Sequence, residues 1–279
     1  MNYRHIYHAG VFADVVKHIT LIAILEQLAL KDKPFAVLDA FAGCGFYNLN
    51  SVESLKTNES VEGIKKLLSY ANVNTLELPL LQKYLQVVKA VGSGNIYPGS
   101  PLIIHKSMRE FDRLIATELH PEDFSILKRF FYAQNKKPQT GTHHLDAYKA
   151  IKAFVPFFEK RGLIFIDPPF EVKDEFTKIL SSLDIIYKRA ANIITMIWYP
   201  IKNELEVKSF HQTLKNTGFK EILKIEFALK KASKNLEKCG ILILNPPNIR
   251  VSLEQVFRFL TDNIYQGRAF FNMETLNYV

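Results

Sequence analysis

Short apolar runs separated by helix-compatible stretches constrain this chain more than any other feature of it. Phe35-Ala36-Val37-Leu38-Asp39, Leu114-Ile115-Ala116-Thr117-Glu118, Leu163-Ile164-Phe165-Ile166, Ile193 to Tyr199, Ile222 to Ala228 and Ile241 to Leu244 each read as strands. An unbroken apolar run of this length bounded by turn residues marks a strand buried on both faces. Helical spacing separates most of them, at about 174–190 and 203–217 among others. Strands alternating with helices predict an α/β protein with a doubly wound, mostly parallel sheet of about seven strands. The last two runs, joined by the Lys-rich stretch 230–238 with no clear helix, are expected to form an antiparallel hairpin.

At 279 residues the chain has room for one such domain with an elaboration. Residues 51–95 supply it, rich in Leu and Lys, with Ile64, Leu67 and Leu68 and then Leu81, Leu85 and Val88 at helical spacing. The expected organisation is a main domain of residues 1–50 and 96–279 with residues 51–95 as a helical insertion after the first strand-loop-helix. A helix is also predicted from about Asp14, its candidate cap, to Leu30, ended by Asp32-Lys33-Pro34 and presenting Val15, Ile19, Ile22 and Glu26 on one face.

Two strand ends carry chemistry. The run Leu163–Ile166 passes directly into Asp167-Pro168-Pro169-Phe170, at the C-terminal end of a strand where open α/β sheets bind ligands. The amino nitrogen of adenine is a poor nucleophile because its lone pair is delocalised into the ring. Two acceptors on its two N–H bonds draw it toward tetrahedral geometry. Asp167 offers one acceptor and the carbonyl of Pro168, stiffened by consecutive prolines, the other. Phe170 offers a face for a base. A strand that merely stops at a Pro-Pro turn with a core Phe after it explains the same residues. Ile241 to Leu244 followed by Asn245-Pro246-Pro247-Asn248 repeats the pattern without an acid or an aromatic, and reads as a turn.

The other strand end is Asp39 followed by Ala40-Phe41-Ala42-Gly43-Cys44-Gly45. Glycines at 43 and 45 let the backbone approach a ligand closely. The pattern D-x-x-x-G-x-G suits S-adenosylmethionine better than a dinucleotide, since the third glycine that serves pyrophosphate is missing. Glu118, ending the second run, is a candidate for the cofactor's ribose hydroxyls or an ordinary surface acid. The opening Tyr3-Arg4-His5-Ile6-Tyr7-His8, with Lys17 and His18 after it, suggests an arm that closes over a polyanion or a base. His143-His144 reads as loop decoration.

A formal charge of +8 fits a polyanionic partner such as nucleic acid. Two cysteines, Cys44 and Cys239, make no disulfide scaffold and favour a cytoplasmic location. No apolar stretch approaches a membrane span and no Cys–His spacing suggests zinc, so neither a membrane nor a metal is expected.

Taken in order, Tyr3-Arg4-His5, His8-Ala9-Gly10, Ala13-Asp14-Val15-Val16-Lys17-His18, Leu38-Asp39, Ala42-Gly43, Tyr97-Pro98-Gly99-Ser100-Pro101-Leu102, Thr117-Glu118-Leu119-His120-Pro121, Asp146, Arg161-Gly162-Leu163-Ile164, Asp167-Pro168-Pro169, Trp198-Tyr199-Pro200 and Asn245-Pro246-Pro247 span nearly the whole chain. Together they closely resemble the large-subunit (23S) ribosomal RNA adenine-N6 methyltransferase J family. The resemblance implies a Rossmann-like, S-adenosylmethionine-dependent enzyme that methylates one adenine of 23S rRNA and needs no metal; the target base is expected to leave its stack, and the protein is expected to be a monomer. It places Lys17, Ser100, Glu118, Asp146 and Asp167 at the cofactor, with Ala147 where the family often has Gly and His18 as a further contact. Tyr3 and His5 would sit at the mouth of the site. The chain departs from the family at Phe41, where His is frequent, and at Phe170, where Tyr is common. Rivals are a DNA adenine-N6 methyltransferase, a release-factor glutamine methyltransferase, which favours Asn where this chain has Asp167, and a catalytically silent RNA-binding protein.

Overall fold

The computed structural model describes residues 4–70, 77–92, 95–134, 138–230 and 237–278. Tyr3 therefore lies outside the described residues. The strands are β1 (Ala36–Asp39), β2 (Phe46–Asn48), β3 (Ile96–Pro98), β4 (Arg113–Glu118), β5 (Gln139–His144), β6 (Gly162–Ile166), β7 (Ile194–Pro200), β8 (Glu221–Leu229), β9 (Lys238–Leu244) and β10 (Ala269–Asn277). The α-helices are α1 (Phe12–Ala29), α2 (Val52–Thr57), α3 (Ile64–Ser69), α4 (Pro79–Val91), α5 (Ser100–Ser107), α6 (Pro121–Gln134), α7 (Ala147–Phe154), α8 (Glu175–Ala190), α9 (Glu204–Leu214) and α10 (Arg250–Phe259).

Eight strands form one sheet in the order β10-β8-β9-β7-β6-β1-β4-β5. Strands β5, β4, β1, β6 and β7 run parallel. β9 runs against both β7 and β8, and β10 against β8. The expected hairpin is thus present as β8–β9. The central strands bury alternate residues on opposite faces. Val37, Leu163 and Phe165 enter the core under α1, α5 and α10, while Leu38, Ile164 and Ile166 enter the core under α7, α8 and α9. Both faces are covered, which is why these strands read as continuous apolar runs.

Strand order reverses beside β1, which continues to β4 on one side and meets β6 on the other. That switch point opens a crevice at the C-terminal strand ends. Residues 46–48 pair antiparallel with residues 96–98, so the chain leaves and re-enters at one place around α2, α3 and α4.

Four expectations need correction. The sheet has eight strands rather than seven, because β10 adds an antiparallel edge that follows no unbroken apolar run: its burial alternates from Ala269 to Met273 with exposed Phe270 between them. His143 and His144 belong to edge strand β5, where His144 Nε2 bonds the Leu119 carbonyl at 2.9 Å. The first helix begins at Phe12 with Val11 as an N-cap that offers no side-chain bond, and Asp14 instead takes the Gly10 amide at 2.8 Å. That helix is also buried on all sides from Phe12 to Leu25, being enclosed by β8, β9, α4, α5 and α10. A helix apolar all round is a core helix, so a one-sided stripe was too narrow an expectation.

Candidate active site

A cavity of about 370 Å³ lies over the C-terminal ends of β1, β4, β6 and β7, roofed by the segment 5–18. Its position follows from the sheet: β1 and β6 are hydrogen-bonded neighbours with Asp39 opposite Phe165, so the loops after them leave side by side. The Ala40 amide bonds the Phe165 carbonyl at 3.0 Å and the Ala42 amide bonds the Thr117 carbonyl at 2.9 Å. These bonds fix the glycine loop against both neighbouring strands.

The floor is ionic. Lys17 Nζ, 4% exposed, donates to Asp167 Oδ2 at 2.6 Å and to Asp14 Oδ1 at 2.8 Å. His5 Nε2 meets the other Asp14 oxygen at 3.0 Å. Burial works against the Lys17 charge, yet Asp14 and Asp167 hold its ammonium above the ordinary value. Burial also works against the Asp14 carboxylate, but Lys17 and His5 hold it well below the usual range. Each charge exists because the other does. The Lys17 ammonium also lies 5.3 Å from the centre of the Trp198 ring, within cation–π range.

The glycine loop is built for close approach. Gly43 has φ +61°, and a Cβ there would run into the Tyr47 hydroxyl. Glu118, almost fully buried, spans the loop by accepting the Gly43 amide at 2.8 Å and the His120 amide at 2.6 Å. Burial raises its carboxyl above the ordinary value while those amides pull it back. Beneath them Asp39 has no exposed surface and neither of its oxygens finds a hydrogen-bond partner among the described residues. Burial pushes its carboxyl up to about 7, which the nearby Ser100 hydroxyl only partly offsets. Ser100 opens α5 and borders the cavity, as does Gly99 before it.

His5, Lys17, His18, Gly43, Ser100, Glu118, Asp167 and Pro168 all border this one cavity. Asp39 supports it from below. Asp146 and Ala147 do not reach its wall: Asp146 caps α7 by accepting the Lys149 amide at 3.0 Å, and Ala147 is buried behind it. Phe170 is also outside the wall. The Pro-Pro turn leaves it at φ +50°, and its ring meets the edges of Phe176 and Trp198 beside a smaller cleft of about 190 Å³. The aromatic side chains that do border the main cavity are Phe41, Tyr47 and Trp198, the last with Phe170 against its ring. The repeat at Asn245 is structural. β9 is antiparallel to β7, so Asn245 emerges at the other end of the sheet, where its amide donates to the Ala191 and Ile193 carbonyls at 2.8 and 2.9 Å.

Reasoning from sequence missed Asp14 as the hub of the charge network and Trp198 as a wall. Asp14 stands three residues before Lys17, a spacing that puts both on one helix face. That signal was readable once the helix start moved to Phe12. Trp198 lies four residues into β7, whose end abuts the cavity. Nothing in its own run distinguishes it from a core aromatic.

Comparison with known proteins adds independent findings. A family model described as RsmJ, Ribosomal RNA large subunit methyltransferase D, RlmJ, matches residues 32–274. The chain is 36% identical over 272 residues to a protein of Haemophilus influenzae named Ribosomal RNA large subunit methyltransferase J, spanning 95% of this chain and 94% of that one. It is 39% identical over 253 residues to the protein of the same name from Escherichia coli, spanning 88% of each. A crystal structure of a protein from Legionella pneumophila superposes with a TM-score of 0.85 at 32% identity, covering 96% of this chain and 98% of that one.

Proposed function

This chain belongs to the RlmJ family of ribosomal RNA large subunit methyltransferases, and from that premise we propose that it transfers a methyl group from S-adenosylmethionine to the N6 amino group of one adenine in 23S rRNA. One observation carries the reading at the level of chemistry. Asp167 is held at the cavity by Lys17 through one oxygen only, and the adjacent Pro168 carbonyl accepts no hydrogen bond from the described residues. Two acceptors therefore stand side by side at the end of β6, the number needed to take the two N–H bonds of an amino group.

The residues fit the cofactor. A carboxylate whose oxygens are both unpartnered and buried, Asp39, and a backbone cradle at Gly43 that a Cβ would fill are features a ligand would complete. Gly43, Ser100, Glu118, Lys17 and His18 would hold it from the cavity wall, with Asp39 close behind them, while Asp146 and Ala147 at the start of α7 stand outside that wall. When bound, S-adenosylmethionine supplies an electrophilic methyl carbon on a sulfonium.

The chain's own part is to bind, orient and exclude water. Asp167 and the Pro168 carbonyl would hold the amino nitrogen of an extruded adenine, leaving it oriented toward the methyl group the cofactor supplies. Trp198, backed by Phe170, gives the base a wall. Lys17 steers Asp167 so that its second oxygen faces the amino group. His5 borders the mouth, with Arg4 tied to Glu122 and Asp123 of α6 at 3.2 and 3.3 Å. No covalent intermediate is required. The same reading takes residues 51–95 as a helical insertion in one methyltransferase domain, and the protein as a cytoplasmic monomer that needs no metal.

Labelled-methyl transfer to unmodified 23S rRNA, followed by mapping of the modified nucleotide, tests the proposal. Incorporation at the N6 position of one adenine is expected. Incorporation into DNA or a protein glutamine instead, or into none of the three, overturns it.

A further inference from the structure

Three side chains form a buried chain of hydrogen bonds that ends at the cavity. His18 of α1 meets the Tyr97 hydroxyl of β3 through Nδ1 at 2.7 Å, and Tyr97 meets the Tyr84 hydroxyl of α4 at 3.0 Å. Tyr84 and Tyr97 have no exposed surface, and His18 is 2% exposed. The imidazole stacks on the Tyr97 ring with 5.5 Å between centres. His18 borders the cavity, and its Nε2 has neither a partner among the described residues nor a place among the sealed, unpartnered atoms.

Counting protons decides the direction of this chain. Two hydrogen bonds share three hydrogens: one on each hydroxyl and one on the neutral ring. If His18 donated from Nδ1 to Tyr97, either the Tyr97 or the Tyr84 proton would be left without an acceptor in a site with no water access. An orphaned buried donor carries its full desolvation penalty, whereas an oxygen with a spare lone pair loses less. Only one arrangement uses both hydroxyl protons: Tyr84 donates to Tyr97, and Tyr97 donates to Nδ1. The remaining hydrogen then sits on Nε2.

We infer that Tyr84 and Tyr97 are positioning residues that lock His18 as the neutral Nε2–H tautomer and so present a fixed hydrogen-bond donor to the cavity. The occupant this donor suits is an acceptor oxygen or ring nitrogen of the bound cofactor, so the inference deepens the proposed function and rests on it for that last step alone. The lock also gives α4 a task, because the insertion delivers Tyr84. Burial pushes the His18 imidazole down to about 3, with Lys17 and His5 adding to the effect and Asp14 opposing it. These are the charged groups that act on the ring, beside the hydroxyl of Tyr97, and the donor stays neutral across the physiological range.

Nitrogen-15 NMR of the histidine-labelled full chain reads the tautomer directly, with His18→Gln identifying the signal. The expected wild-type spectrum has the proton on Nε2 at every pH from 5 to 8. Tyr97→Phe should give a mixture of tautomers and weaken S-adenosylhomocysteine binding by roughly five- to tenfold in calorimetry, the effect of one misaligned hydrogen bond. Tyr84→Phe should shift the mixture less and in the same direction. A wild-type proton on Nδ1, or a Tyr97→Phe spectrum identical to the wild type, overturns the lock. If Tyr97→Phe fails to fold, the wild-type and Tyr84→Phe spectra still decide. A correct tautomer in a chain that binds neither S-adenosylhomocysteine nor S-adenosylmethionine would leave the lock standing and remove the proposed function instead.

Discussion

Lys17 carries its charge where water scarcely reaches, so removing it should cost stability as well as activity. Lys17→Met leaves Asp14 buried with only His5 and the Gly10 amide, and should lower unfolding free energy by about 3 kcal/mol in urea titrations. The double variant with Asp14→Asn should recover part of that loss, because the stranded charge is gone. Asp167→Asn keeps shape while removing the anionic acceptor. It should cut methyl transfer by about 10²–10³, the range seen when one charge-stabilising contact is removed, with cofactor affinity changed far less. Near-normal turnover in that variant would remove Asp167 from the chemistry. Asp39 allows a test by pH. Its carboxyl binds a proton more tightly folded than unfolded, so native stability falls as pH rises from the ordinary carboxylate value of 3.8 to about 7. Up to about 4 kcal/mol lies in that window. Asp39→Asn cannot ionise, so in the cofactor-free protein its advantage over the wild type should be near zero at pH 4 and largest at pH 8.

The elements show which parts of this arrangement a sequence can disclose. Strands β1, β4, β6, β7 and β9 were legible because burial on both faces writes itself as an apolar run, and β8 because Ile222, Leu223, Ile225 and Phe227 keep it strand-like around Lys224 and Glu226. β5 and β10 were not, since edge strands with one solvated face contain His143, His144, Asn272 and Glu274. Asp167 and Pro168 were legible from the turn that follows β6. The reach of Phe170 was not, because its direction depends on a left-handed backbone at that residue, φ +50°, which no residue type around it announces. Asp146 was placed at the site by family likeness, and its side chain caps α7. The pairing of β1 with β6 carries Asp39 and Asp167 together, and Gly162 makes it possible. At φ +152° a Cβ on residue 162 would strike the Ala36 carbonyl oxygen in the neighbouring strand. Gly162→Ala should therefore separate the two strands, lowering the thermal midpoint by more than a surface Gly→Ala such as Gly267→Ala, which has nothing within 4 Å. Differential scanning calorimetry of both variants checks this.

At the scale of the whole molecule, the net charge of +8 and the cavity at the strand ends divide the work of recognition. Attraction to the phosphate backbone is long-ranged and salt-sensitive, while the proposed cofactor would bind among fixed partners inside the protein. Raising salt from about 50 to 200 mM should weaken rRNA binding on the order of 10²–10³, if six or so phosphates are neutralised. Affinity for S-adenosylhomocysteine, measured in the same buffers, should change little. Helix α1 joins the two themes, since the turn bearing Asp14, Lys17 and His18 is also the middle of the hydrophobic interior. The tool that does the work and the post that holds up the house are the same piece of timber. Variants selected for soluble yield will be filtered at these three positions before any assay for turnover begins, and sequence tolerance there will reflect carpentry as much as chemistry.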